Sequence, residues 1–260
     1  MTFTDTRPKR SLGQNFLQDQ GTARKIVAAL EVTPGAFVLE IGPGRGALTR
    51  WLARTQGKVF ALEKDAHLAR SVKSLWPEVA MIVADAMDFF WERLIGPWNL
   101  IGNLPYNVAS PVIWDVVART PQLAQAVFMV QKEVGDRLAA APGSQAYGAL
   151  SVWVQSHVLV KRLFVVGPQV FRPRPKVDSA VVRFTPLPRK EPRPDGPALR
   201  RLLNTCFQQR RKQLKTILRP LWSDSLADFL YDQNLRPESR PEELSPQQFQ
   251  TLADMLSASW

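Results

Sequence analysis

The chain has a single cysteine, Cys206, and only two histidines among its 260 residues. One thiol excludes an internal disulfide and fits a reducing compartment. The histidines stand far from each other and from the cysteine, so no zinc or thiolate centre can be assembled, and no metal is expected. No apolar run reaches the ~18 residues that a membrane span requires. The opening residues, MTFTDTRPKRSLGQNFLQD, lack the apolar middle of a secretory signal. The expectation is a cytoplasmic monomer with no membrane partner.

What is present is apolar bulk and positive charge. Hydrophobic residues make up 45% of the chain, enough for a sizeable core, and the formal net charge is +11. A basic, soluble surface would account for the total. Its distribution points instead to a polyanionic partner. Between Thr185 and Pro220 ten Lys/Arg stand against Glu191 and Asp195, a local net of +8. Such clustering is what neutralising phosphates requires.

Apolar segments rich in Val, Ile and Phe read as strands at 36–41, 58–63, 79–83, 98–102, 125–130, 150–160 and 178–184. ALTRWLART (47–55), DAHLARSVKSLW (65–76) and VASPVIWDVVART (108–120) have helical spacing. Strands alternating with helices predict an α/β fold with a mostly parallel sheet. The last strands lack a helix-length segment between them, so one edge of that sheet should be antiparallel. PLPRKEPRPDGP (186–197) carries five prolines in twelve residues, which no helix interior or central strand tolerates. It reads as a linker between a domain over 1–185 and a small helical domain over 198–260. There ALRRLLNTCFQQRRKQLKTIL (198–218), SLADFLYDQN and SPQQFQTLADMLSAS look helical, the last with a capped start and proline at its first position.

The first strand runs into EIGPGRG, residues 40–46. A glycine-rich turn after the first strand of such a sheet lets a ligand approach the backbone, although a simple structural turn has the same composition. Its spacing departs from the dinucleotide fingerprint, it has an acid inside the strand, and it lacks a lysine suited to a triphosphate. The second strand ends at Glu63, where a carboxylate can accept hydrogen bonds from a ribose diol. The third leads to Asp85, able to accept from an adenine amine. Taken singly, either acid could be a solvated strand end. Together they outline a ligand crevice across three strand ends.

The fourth strand ends in Asn103-Leu104-Pro105-Tyr106. The exocyclic amine of a nucleobase is a poor nucleophile, because its lone pair is delocalised into the ring. The Asn103 side-chain oxygen and the Leu104 carbonyl can accept both amine hydrogens and favour a pyramidal nitrogen. Pro105 fixes the backbone, and Tyr106 offers a stacking face worth about 1–3 kcal/mol. Catalysis of this kind rests on positioning and preorganised electrostatics. A proline turn that merely starts a helix is the alternative.

The three strand ends resemble those of class I S-adenosylmethionine-dependent methyltransferases, whose fold is Rossmann-like, and N-L-P-Y resembles the signature of their members that act on nucleic acid bases. Three more segments narrow the resemblance. KRSLGQNFLQD (9–19), VFRPRPKVDSAVVRF (170–184) and FQQRRKQLKTIL (207–218) are similar to the arm, the base-closing segment and the basic helix of the KsgA-type small-subunit ribosomal RNA adenine dimethyltransferases. That resemblance implies S-adenosyl-L-methionine as cofactor. It implies dimethylation of two adjacent adenosines near the 3′ end of 16S ribosomal RNA during ribosome biogenesis, with the small-subunit precursor as partner. It further implies that Asn15, Leu17, Gly42, Glu63, Asp85 and Asn103 contact the donor. Tyr106 and Phe171 would sandwich the flipped base, and Arg210, Arg211, Lys212 and Lys215 would meet RNA phosphates. Three plainer roles stay open: Asn15 as a helix cap, Phe171 as a core plug, and the four basic residues as a solvated face. Two other functions also stay open: a macrolide-resistance type of methyltransferase acting on large-subunit RNA, and a non-catalytic ribosome-assembly factor.

Overall fold

The computed structural model describes residues 15–188 and 196–259. The predicted arm up to residue 14 and linker residues 189–195 lie outside the described residues. In chain order the elements begin with β1 (Phe16–Leu17), α1 (Gln20–Ala28), β2 (Phe37–Ile41), α2 (Thr49–Leu52) and β3 (Lys58–Glu63). Next come α3 (Ala66–Leu75), β4 (Ala80–Val83), β5 (Trp98–Asn103), α4 (Ala109–Arg119) and β6 (Leu123–Gln131). Then follow α5 (Lys132–Leu138), α6 (Ala149–Gln155), β7 (Val158–Val166), β8 (Phe171–Arg172) and β9 (Ser179–Pro186). The remaining helices are α7 (Gly196–Gln208), α8 (Leu214–Ile217), α9 (Asp224–Asp232) and α10 (Pro246–Leu256).

Seven strands form one sheet in the order β4-β3-β2-β5-β6-β9-β7. The pairs from β4 through β6 are parallel, and β6 pairs with β9 antiparallel. This is the mostly parallel sheet with an antiparallel edge that the sequence predicts. Its central strands read as continuous apolar runs because both faces are covered; Val38, Leu39, Leu100, Ile101, Val127 and Phe128 are all fully buried. Helices on the faces follow from period and caps. α4 buries Ala109, Val112, Ile113, Val116 and Val117, a single stripe. α3 starts where the Asp65 carboxylate accepts from the His67 and Leu68 amides. α1 is capped by Asp19, which accepts from the Thr22 amide at 2.6 Å; the cap is not Asn15.

Two compact units emerge, and their division differs from the boundary expected in the linker. The first comprises the chain up to Asp136 together with Leu159–Pro186. The second takes in Arg137–Val158 as well as the segment from Leu187 onward. The reason is α6. The predicted strand at 150–160 is a helix as far as Gln155, and β7 starts only at Val158. Leu150, Val152, Trp153 and Val154 are buried all round the helix, so the segment is apolar without a helical stripe. Periodicity cannot separate a helix buried on every side from a buried strand. The Gln155 amide holds the preceding loop by donating to the Leu138 and Ala140 carbonyls.

Within the second unit α7 buries Leu199, Leu202, Leu203 and Cys206, and α10 buries Phe249, Leu252 and Ala253. The Tyr147 hydroxyl donates to the Leu244 carbonyl at 2.8 Å in this core. α10 carries the expected capping box: Ser245 accepts from the Gln248 amide, with Pro246 at the first helical position. None of the helices among the described residues is long and apolar enough to cross a membrane.

The turn between β2 and α2 sets the mouth of the sheet. Gly46 there has φ +76°, and a Cβ on it would lie 2.2 Å from the Trp76 ring. Both the left-handed backbone and the ring exclude a side chain. Gly46→Ala is expected to lower stability by roughly 1–3 kcal/mol, read as a fall in the urea unfolding midpoint. An unchanged midpoint would mean that the turn and Trp76 move apart freely.

Candidate active site

The carboxyl ends of β2, β3, β4 and β5 surround a cavity of about 200 Å³ in the first unit. Parallel strands in such a sheet end on one edge, and ligands collect in the crevice beyond it. Residues Asn15–Leu17, the turn from Ile41 to Arg45, Glu63, Asp85 and the segment from Asn103 to Val108 all line it. Eight of the nine residues predicted to contact donor or base therefore meet in one cavity.

Each wall has a local cause. Gly42 turns the chain at φ +68° while its amide donates to the Leu62 carbonyl, and a Cβ on it would meet nothing within 4 Å. Backbone conformation selects glycine at this point and leaves the peptide open to a ligand. Glu63 is 6% exposed at the end of β3. One of its oxygens accepts from the Gly44 amide at 3.0 Å and the other from the Asp65 amide at 2.9 Å. Burial pushes its carboxyl above the ordinary range, against the pull of those two amides. Asp85 is held low by Lys64, whose ammonium donates at 2.6 Å, and by the Met87 amide. Each of these carboxylate oxygens has lone-pair capacity left for a ligand's hydroxyl or amine.

β5 delivers Asn103. Its Nδ2 donates to the Asn15 carbonyl at 3.2 Å, which ties the start of the arm to the sheet. With the donor half of the carboxamide engaged, the oxygen half is the one left to accept hydrogens from a ligand. Leu104 is anchored by its amide on the Met129 carbonyl at 3.0 Å, and its side chain is buried. Pro105 receives the Val108 amide on its carbonyl, closing the turn into α4. The Tyr106 hydroxyl lies 2.8 Å from the Ser179 hydroxyl, and burial raises its pKa.

Phe171 lies elsewhere. It is fully buried on β8, whose pairing with β1 sets Leu17 opposite Phe171. It belongs to the core cluster with Ile26, Val27 and Leu30 and does not line the cavity. The core-plug alternative describes this position, and the structure supplies one aromatic wall at the Asn-Leu-Pro-Tyr turn, not two. The basic segment of the second unit also differs from the expectation. Arg210, Arg211 and Lys212 do not lie on a helix but in the turn between α7 and α8. The chain breaks there because the Leu214 and Lys215 amides bond across to the Ser239 and Pro237 carbonyls. Arg210 is not a solvated cation: its Nε donates to Glu242 at 2.6 Å. Lys215 sits 5.8 Å from the Trp222 ring centroid.

Two residues of the site carry no assigned role in the sequence reading. Glu40, the acid inside β2, lines the cavity at 1% exposure and accepts from the Thr49 hydroxyl at 2.6 Å. Burial raises its carboxyl to about 8, and the nearby Glu63 adds to the rise. An ionisable residue inside an apolar strand was the visible signal. Ser179 is fully buried at the head of β9 and aligns Tyr106. A serine within an apolar strand gives no comparable signal. The cavity as a whole suits a ligand that has a diol and an exocyclic amine.

A family model described as "Ribosomal RNA adenine dimethylase" matches residues 6–258. The chain is 51% identical to Ribosomal RNA small subunit methyltransferase A of Oleidesulfovibrio alaskensis, over 99% of this chain and 94% of the relative. It is 38% identical to the protein of the same name in Pseudomonas aeruginosa, over 96% and 95% of the two chains. Among solved structures, a dimethyladenosine transferase from Plasmodium falciparum shares the fold, with TM-score 0.76, 24% identity and coverage of 94% and 98%. The 23S rRNA methyltransferase ErmE is also similar, with TM-score 0.71, 27% identity and coverage of 94% and 100%.

The raised pKa of Glu40 has a definite sign in stability. The folded carboxyl keeps its proton up to about pH 8, whereas the unfolded one releases it near 4.5. Its contribution is therefore complete below the unfolded value and is lost as pH rises through the folded one. Glu40→Gln keeps an acceptor for Thr49 and removes the titration. Urea unfolding at pH 5, 6.5 and 8 is expected to show wild type losing stability relative to the variant, by on the order of 1 kcal/mol per pH unit. Parallel curves would place the Glu40 carboxylate in contact with water.

Proposed function

The chain belongs to the ribosomal RNA adenine dimethylase family, and on that premise we propose that it dimethylates the exocyclic amines of two adjacent adenosines near the 3′ end of 16S ribosomal RNA. The methyl donor is S-adenosyl-L-methionine, the partner is the small-subunit precursor, and the setting is cytoplasmic ribosome biogenesis. The observation that carries the reading is the convergence of Glu63, Asp85 and the oriented Asn103 carboxamide on one cavity.

When bound, the donor supplies an electrophilic methyl group on a positively charged sulfur. This chain's residues do the rest. Glu63 would accept from the ribose hydroxyls, and Asp85 from the adenine amine of the donor. The Gly42 peptide and residues Asn15–Leu17 would hold it. A cationic donor would draw Glu40 and Glu63 toward their ionised forms, against the burial that favours the protonated ones. On the acceptor side, the Asn103 oxygen and the Leu104 carbonyl take the amine's hydrogens and make its lone pair available. Tyr106, steadied by Ser179, stacks on the base and offsets part of the cost of extracting it from its helix. Arg211, Lys212 and Lys215 meet RNA phosphates. Arg210 is removed from that set, because Glu242 already neutralises it.

The relatives named for the small subunit are far more similar to this chain than the enzyme named for 23S rRNA, which favours the small-subunit substrate. A purely non-catalytic assembly role gives no reason for the acids and the carboxamide to converge.

Purified protein incubated with methyl-labelled donor and unmethylated small subunits is expected to place label in dimethyladenosine near the 3′ end of the RNA. Asn103→Ala is expected to lower transfer by roughly a hundredfold or more while the protein stays folded. Label confined to large subunits would move the function to the rival substrate, and absence of label would leave only binding. Near-normal turnover by the variant would remove Asn103 from the chemistry.

A further inference from the structure

A second concavity in the same unit adjoins the first. It is a groove of about 600 Å³, bordered by Gln18 and Gln20, by Arg45–Ala47, Arg50 and Arg54, and by the end of α3 with Trp76. Leu17, Arg45 and Ala47 line both hollows, so the two adjoin. The walls of the groove carry three guanidinium groups, those of Arg45, Arg50 and Arg54, against the single carboxylate of Glu78.

Arg50 and Arg54 are not used up by the fold. Arg50 and Arg54 are exposed, and neither makes an ion pair with the described residues. Arg54 lies 4.8 Å from the centroid of the Trp51 ring, and Arg24 lies 6.0 Å from it. The Trp51 indole N–H donates to Gln20 at 3.2 Å, which steadies the ring these cations flank. Arg45 stands between the hollows, 4.6 Å from the Phe16 ring centroid. Planar guanidinium groups suit phosphate oxygens in a way that solvated lysines do not. Guanidinium groups in a groove that also has the Trp76 indole in its lining form a surface for a single strand, which offers both phosphates and unstacked bases.

We propose that this groove holds the phosphate backbone of the single-stranded RNA beside the target adenines, feeding the strand past Arg45 toward the Asn-Leu-Pro-Tyr turn. The inference rests on the proposed function for its substrate class, but the arginines that test it, Arg50 and Arg54, are assigned neither to chemistry nor to the donor. It also gives the first unit its own contact with RNA, independent of the basic turn in the second.

The test compares wild type with the double variant R50Q/R54Q, binding unmethylated small subunits at several salt concentrations between about 50 and 200 mM. Removing two phosphate contacts to a single strand is expected to make the slope of log affinity against log salt shallower by about 1.4. Affinity at the lowest salt falls about tenfold or more, and R50K/R54K recovers most of the slope because it restores the charges. Donor affinity, measured by calorimetry, stays at the wild-type value. An unchanged slope would overturn the proposal, as would a donor affinity that falls in step with RNA affinity. The two readings fail separately. A wild type that binds subunits without transferring methyl groups sinks the activity and leaves the groove to be judged on its slope. A wild type that methylates while R50Q/R54Q keeps the full slope sinks the groove alone.

Discussion

One hydrogen bond orders the site: the Asn103 carboxamide donates to the Asn15 carbonyl across 88 positions of sequence. A carboxamide can face a ligand with either of its ends, and the two ends recognise opposite partners. By engaging the nitrogen, the arm turns the oxygen into the acceptor. The same bond draws Phe16 and Leu17 to the crevice, where β1 pairs with β8 and the Phe16 ring lies against Gly44 and Arg45 of the glycine-rich turn. The Asn-Leu-Pro-Tyr turn is rigid on its other flanks as well: Leu104 is tied to β6, Pro105 to α4 and Tyr106 to β9. Preorganisation of this kind is what a reaction that relies on positioning requires, since geometry must then supply the rate.

The second ingredient is electrostatic. Two carboxyl groups, Glu40 and Glu63, are buried at neighbouring strand ends, and both are pushed upward in pKa. Burying acids costs stability unless hydrogen bonds compensate. Here the compensation comes from the Thr49 hydroxyl and from the Gly44 and Asp65 amides. A ligand bringing positive charge, which is the electrostatic character of the proposed donor, would favour the ionised forms of these groups and so bind in step with their loss of a proton. Asp85 plays a different part. Lys64 holds it ionised at the rim, where it is partly open to solvent.

Much of this was legible in the sequence, and the reasons are physical. A parallel sheet brings the ends of successive strands to one edge, so Gly42, Glu63, Asp85 and Asn103 could be assigned to one crevice from their places at strand ends alone. The antiparallel edge followed from a missing helix between the last strands, and α10 followed from its cap. The failures share a cause, which is that tertiary contacts overrode local pattern. The segment 150–160 is apolar on every side, so its helix had no stripe to reveal it. The run of Arg210, Arg211 and Lys212 looked like a helix face, but amide bonds to residues more than twenty positions away force a turn there. Glu242, remote in sequence, neutralises Arg210. Phe171 matched a family position, yet its pairing partner Leu17 and the apolar cluster around it hold the ring in the core.

The central claim is that the strand-end cavity of the first unit holds the methyl donor against Asn103. Photocrosslinking of methyl-labelled S-adenosyl-L-methionine to the purified protein, followed by mapping of the labelled peptides, tests it most directly. The account predicts label in peptides spanning Asn15–Leu17 or Asn103–Tyr106, and its loss when unlabelled donor is in excess. Label that survives competition, or that maps only to the second unit, would contradict it.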